Sequence, residues 1–180
     1  MTKKVALLGL SGVGKTTFVA RIQERLPVLH LQASALIKTE QARVAAHSDS
    51  SEALRLGAVL DNQSLMIAAF RRISATATLP VIFDAHSVID GRNGLVEIPS
   101  EVFSPLGLAA IFFLKADPII IAQRRLIDTG RDRPIRTSDL LAEHQAIAQA
   151  AAERIAVDIK CTYAEIEGQD IERVIKILLN

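Results

Sequence analysis

Eight consecutive residues near the start of the chain, Gly9-Leu10-Ser11-Gly12-Val13-Gly14-Lys15-Thr16, follow the pattern G-x-x-x-x-G-K-[ST]. That spacing suits the grip on a triphosphate. The glycines let successive backbone N–H groups curl around phosphate oxygens. The start of the helix that follows adds unpaired N–H donors and the positive end of a dipole. Lys15 is placed to reach the β- and γ-phosphates, and the Thr16 hydroxyl to ligate Mg²⁺. Gly9, Ser11, Gly12, Val13, Gly14, Lys15, Thr16 and Thr17 are therefore the expected ATP-binding residues. The plainer reading is an ordinary Gly-rich turn. Against it, the motif stands between an apolar run and a helical one, where a phosphate loop must stand.

Two further groups could act with this cradle. Pro80-Val81-Ile82-Phe83-Asp84 is an apolar run that ends in a carboxylate. Ligands of open α/β sheets sit at the C-terminal ends of the strands, so Asp84 is expected to hold Mg²⁺ or to bind an acceptor. A turn-forming Asp that caps the next segment is the alternative. His86 follows two residues on and is a candidate acceptor-binding residue, unless it only satisfies loop backbone groups. Arg124, Arg125, Arg131, Arg133 and Arg136 fall within thirteen residues. Phosphoryl transfer is mostly positioning and charge neutralisation, and arginines on a mobile lid suit both. A solvated basic face or an RNA-binding patch would use the same residues.

The elements that must position these groups can be read from periodicity. Residues 5–9 form a short buried strand. Residues 15–26 have helical spacing, with Phe18, Val19, Ile22 and Leu26 on one face and Pro27 as the stop. Val28 to Leu31 is a second strand, and residues 33–47 are helix-like. Residues 52–76 carry Leu56, Val59, Leu60, Gln63, Ile67, Phe70 and Ile73 along one face of a long amphipathic helix. Residues 85–99 hold Gly91, Asn93, Gly94 and Pro99 and read as a loop. Ala109 to Leu114 is a buried strand. Asp117-Pro118 opens a helix that runs to about Asp128. Residues 129–136 form a polar, basic loop. Thr137 or Ser138 caps a helix with Leu141, His144, Ala148, Ala151 and Ile155 inward. A strand near 162–166 and a helix bearing Ile171, Val174, Ile175, Leu178 and Leu179 close the chain. Strands that are apolar on both faces and alternate with helices predict an α/β fold, a parallel sheet covered on both sides. No repeat or linker divides residues 1–180.

Composition excludes several classes. The 180 residues carry 21 Lys+Arg against 20 Asp+Glu, a net charge of +1, which argues against bulk nucleic-acid or membrane-surface binding. A single cysteine, Cys161, excludes an internal disulfide and reads as a small core hydrophobe. His144 reads as a core histidine, and His30 and His47 lack metal-spaced partners. Met1-Thr2-Lys3-Lys4 leads into an apolar run too short for a secretory signal, and no stretch is long enough to span a membrane. A soluble, cytoplasmic protein is expected. The chain contains no Asn-Lys-x-Asp and no Asp-x-x-Gly, which excludes the usual GTPase readout.

Together these segments resemble the nucleoside monophosphate kinases, and most of all the archaeal-type adenylate kinases. The resemblance rests on residues 9–17, on Val81-Ile82-Phe83-Asp84-Ala85-His86-Ser87, loosely on Gly94 to Pro99, on Arg124 through Arg133, and on the helix around Glu143. It implies a three-layer P-loop kinase fold with a five-stranded parallel sheet in the order 2-3-1-4-5. It implies an acceptor-binding segment at about 32–65 and a lid at about 128–137. It implies reversible transfer from ATP–Mg²⁺ to a nucleoside monophosphate, with Ser34, Arg55, Asp84 and His86 on the acceptor. Lys15, Arg125, Arg131 and Arg133 would neutralise phosphate charge, Asp84 would complete the catalytic set, and Thr16 and Asp84 would hold the metal. Two other readings stay open at this point: a kinase of related fold that phosphorylates a hydroxyl with Asp84 as base, and a nucleotide-dependent ATPase or assembly factor.

Overall fold

The computed structural model describes residues 2–47, 60–91, 94–128 and 134–180. In chain order the elements are β1 (Lys4–Leu8), α1 (Lys15–Gln23), β2 (Leu29–Gln32), α2 (Ala33–His47), α3 (Leu60–Ala75), β3 (Val81–Asp84), β4 (Val88–Gly91), β5 (Gly94–Glu97), β6 (Ala110–Leu114), α4 (Pro118–Ile127), α5 (Ser138–Asp158), β7 (Thr162–Ile166) and α6 (Ile171–Leu179). Two short 3-10 turns, Ser100–Val102 and Ser104–Leu106, lead into β6.

Burial explains the sheet. β3 and β6 are buried along their whole length, and β1 from Val5 onward. Strands with no solvent face need cover on both sides, and parallel crossovers supply it. The five strands run parallel in the order β2-β3-β1-β6-β7. Counted within this sheet alone, that is the expected 2-3-1-4-5. α1 packs against α6, and α4 against α5. The core includes three aromatics in contact: Phe70 of α3 meets Phe83 edge-on with centroids 5.1 Å apart, and Phe83 meets Phe103 at 6.4 Å.

Helix ends follow the sequence signals. The Asp117 carboxylate accepts the Ile119 N–H at 2.8 Å, with Pro118 in the first turn of α4. The Thr137 hydroxyl accepts the Leu140 N–H at 3.3 Å and so starts α5. α5 buries the five residues expected to face inward. No helix among the described residues is long and apolar enough to cross a membrane.

One expectation is corrected. Residues 85–99 are not a loop throughout, because β4 and β5 pair antiparallel as a hairpin apart from the main sheet. Gly91 and Gly94, read as loop breakers, are the last pair before a two-residue connection. Glycine and Asn-Gly mark tight hairpins as readily as loops. Only Val88 of β4 is buried, so the ribbon lacks a strand's usual apolar signal. The Ser87 hydroxyl donates to the Ala148 carbonyl at 2.6 Å and ties the base of the hairpin to α5. The early part of the expected long helix, residues 52–59, lies outside the described residues, as do residues 129–133 of the expected lid.

Phe103 is 1% exposed. Phe103→Ala should lower unfolding stability by about 3–5 kcal/mol in urea titration with an unchanged m-value. A loss below about 1 kcal/mol would show that this aromatic is not part of the packed core.

Candidate functional site

β1 ends at Leu8 and α1 begins at Lys15, so the loop between them is laid across the C-terminal edge of the sheet. Its turns demand glycine at three points: Gly9, with φ +153° and a Cβ that would lie 2.8 Å from the Leu114 carbonyl oxygen, and Gly12 and Gly14. Gly12 has φ +91° and Gly14 φ +108°, a region that side chains disfavour. A Cβ on Gly12 would also come within 3.1 Å of Arg125 Cγ, and one on Gly14 within 3.0 Å of an Arg124 guanidinium nitrogen. Gly14 precedes α1 and brings no side-chain cap. The first N–H groups of that helix are therefore not occupied by a capping side chain, as an anion site requires. Thr16 and Thr17 are exposed in its first turn.

Lys15 folds back under the loop and is 7% exposed. Its ammonium donates to the Gly9 carbonyl at 3.1 Å and lies 3.6 Å from the Asp84 carboxylate. The β1–β3 register, Leu7 opposite Asp84, brings the two together. His86 Nδ1 is 2.7 Å from the same Gly9 carbonyl and 3.3 Å from Lys15 Nζ. The short contact with a carbonyl assigns the proton to Nδ1. His30, on β2, lies with Nε2 3.3 Å from Asp84 Oδ2, so this nitrogen donates to the carboxylate. Burial alone would raise the Asp84 pKa. The His30 hydrogen bond and the charges of Lys15, His30 and His86 outweigh it and hold the carboxyl below its ordinary value.

These groups open onto a cleft of about 280 Å³, lined by Lys15, Thr16, Gln32, Ser34, Asp84 and Arg124 among others. A second cleft of about 570 Å³ lies on the other side of Gly14, Thr17 and Arg124 and reaches Lys115, Asp117 and Gln169. Thr16 and Asp84 offer a hydroxyl and a carboxylate. These are hard oxygen donors that fit a Mg²⁺ whose other ligands are water and phosphate. Among the described residues no cluster of three or more His, Cys, Asp or Glu forms a protein-only metal site.

The structure thus brings Ser11, Gly12, Gly14, Lys15, Thr16, Thr17, Ser34, Asp84 and His86 around one cleft, while Gly9 contributes through its carbonyl, which meets Lys15 and His86. Val13 contributes only backbone, because its side chain is buried in the core. Arg55, Arg131 and Arg133 lie outside the described residues. Of the adjacent pair on α4, Arg124 lines both clefts and donates to the Val13 carbonyl at 2.7 Å. Arg125 is turned elsewhere, onto the Ser11 carbonyl at 2.8 Å and the Asp90 carboxylate at 2.7 Å. Sequence reasoning missed His30 and Asp90, and it reached Gln32 only as the first residue of the acceptor-binding segment expected at about 32–65. His30 and Gln32 carry no local signal, since only strand pairing brings β2 beside Asp84. Asp90 has one, the Asp-Gly at the end of β4, but glycines at this spacing point to a loop as readily as to a hairpin. His144, expected in the core, is buried with Nδ1 3.6 Å from Asp90.

Known proteins resemble the chain at two levels. The profile of the family described as AAA domain matches residues 8–142. An adenylate kinase of Thermococcus onnurineus (strain NA1) is 28% identical over 169 residues, covering 92% of this chain and 86% of that protein. An adenylate kinase of Methanoculleus marisnigri is 28% identical over 174 residues, covering 93% and 91%. In fold, an unliganded sugar kinase from Janibacter sp. HTCC2649 superposes with a TM-score of 0.54 at 19% identity, over 99% of this chain and 95% of that one. A shikimate kinase from Bacteroides thetaiotaomicron gives 0.53 at 16% identity over 100% of both.

Asp84 stays ionised to lower pH in the folded protein than in the unfolded chain. It therefore contributes stability above its ordinary value of 3.8, and this is lost as pH falls through the lower native value. Asp84→Asn should be less stable than wild type near neutral pH, with the gap closing as pH falls below about 4. Urea unfolding across that range checks this, and a pH-independent gap would refute it.

Proposed function

This chain belongs to the AAA domain family, and from that premise we propose that it is an ATP-dependent nucleoside monophosphate kinase. The observation that carries the reading is the buried Lys15–Asp84 pair with half-buried His86 beside it under a glycine loop, facing a cleft whose far wall is the start of α2. Kinase relatives over nearly the whole chain support the transfer of a phosphoryl group.

In this reading the ATP phosphates lie on residues 9–17, held by loop N–H groups and by Lys15. The donor nucleoside extends into the cleft lined by Lys115, Asp117 and Gln169. The acceptor lies against Gln32, Ser34 and His86, and Arg55 meets its phosphate. Arg131 and Arg133 close on the transferring group and exclude water. Thr16 and Asp84 would hold Mg²⁺, which supplies charge neutralisation at the phosphates. No general base is needed, because a monophosphate oxygen is already anionic at neutral pH.

One observation favours a second reading. Asp84 is buried yet held ionised by His30 and Lys15. A carboxylate in that state could accept a proton from a hydroxyl acceptor. The readings separate by mutation: a hydroxyl acceptor requires Asp84→Asn to abolish transfer while Arg55→Ala leaves it intact.

Product analysis tests the proposal directly. The protein is incubated with ATP, Mg²⁺ and each monophosphate in turn, beside a control without acceptor. One monophosphate should yield ADP and a new diphosphate together. Lys15→Ala should remain folded and lose about a hundredfold or more in kcat. ATP hydrolysis that is the same with and without acceptor would overturn the proposal.

A further inference from the structure

The carboxylate of Asp90, on β4, is 6% exposed and gathers three basic side chains from two other parts of the fold. Arg125 of α4 donates Nη1 to Oδ2 at 2.7 Å. Arg136, just before α5, reaches Oδ1 with Nη2 at 3.2 Å and donates Nη2 to the Gly91 carbonyl at 3.0 Å. His144 of α5 lies 3.6 Å away. This carboxylate has no assigned part in the site. Its best partner nevertheless touches the phosphate loop, since Arg125 Nε donates to the Ser11 carbonyl at 2.8 Å.

That contact has a geometric consequence. All described peptides are trans, so a carbonyl and the N–H of the next residue point in opposite directions across one peptide plane. Holding the Ser11 carbonyl on Arg125 turns the Gly12 N–H to the side of the loop away from α4. Arg125 also packs on Gly12, where a Cβ would meet its Cγ at 3.1 Å. Arg125 itself is 5% exposed, and its Nη2 has no hydrogen-bond partner among the described residues. A buried guanidinium keeps one orientation only where a charged partner fixes it.

We infer that Asp90 is a positioning residue for nucleotide binding: through the Arg125 guanidinium it orients the Ser11–Gly12 peptide of the phosphate loop, and through Arg136 it fixes the start of α5 to the same point. Asp90 touches no phosphate itself. Its negative charge neutralises Arg125 locally, so Arg125 serves the loop's shape rather than the reacting group. The inference rests on the phosphate-loop reading but not on the identity of the acceptor.

The test is calorimetric titration of ADP–Mg²⁺ into the full chain, with melting temperature followed in parallel. Asp90→Asn and Arg125→Lys should each weaken ADP by about tenfold. The double variant should lose no more than the weaker-binding single one, because both break the same relay. Asp90→Glu, which restores the charge, should recover part of the loss. The Gly12 amide resonance should shift in each variant without nucleotide. A structural role alone would lower the melting temperature and leave Kd and that resonance unchanged, and that result overturns the inference. Full additivity of the two losses overturns it as well. If Asp90→Asn does not fold, Arg125→Lys and Asp90→Glu carry the same outcomes. Wild-type protein that fails to bind ADP would overturn the phosphate-loop reading and this inference with it. Wild-type protein that binds ADP but transfers to no monophosphate would overturn only the proposed acceptor.

Discussion

A buried ammonium needs partners, and that requirement organises the centre of this molecule. Lys15 can sit beneath the glycine loop because Gly9 offers a carbonyl and Asp84 a carboxylate. Asp84 is available because β3 runs parallel to β1 in one register, with Leu7 opposite it. A slip of one residue would turn Asp84 to the opposite face of the sheet. The fully buried strands forbid that slip, since their apolar side chains are already packed in the core on both faces. Core burial therefore sets the register, and the register sets the charge pair.

α4 forms the outer wall of the same loop. Its neighbouring arginines take two loop carbonyls in turn, Arg124 that of Val13 and Arg125 that of Ser11. Drawing carbonyls toward the helix leaves the paired N–H groups directed away from it. The asymmetry between the two arginines comes from their surroundings. Arg124 lies beside open clefts, whereas Arg125 is enclosed with Asp90. The hairpin that supplies Asp90 is anchored through Ser87 to α5, so α4, α5 and the loop share one buried polar junction.

Behind the opposite wall lies a third buried carboxylate. Glu40 of α2 is nearly inaccessible and pairs with Arg43 at 2.7 Å and with Arg72 of α3 at 2.8 Å. This joins α2 to α3; Gln32, at the end of β2, and Ser34, in the first turn of α2, line the cleft. Both arginines stay half exposed, so water screens the pairs and they fix α2 against α3 more than they add net stability.

By itself the sequence determined the parts that local physics controls. The phosphate loop was legible because its function needs a fixed spacing of glycine, lysine and hydroxyl. α4, α5, β7 and α6 were legible because caps and apolar periodicity report on neighbouring residues. The hairpin at 88–97 was not, since its signal is a short turn with little apolar pattern. Tertiary structure alone decided which charges meet. His30 joins Asp84 across 54 residues and Arg125 joins Asp90 across 35. Two adjacent arginines that look equivalent in the sequence face different environments once α4 docks. Side-chain pairing across a sheet or between a helix and a hairpin depends on register and packing, which no local spacing encodes.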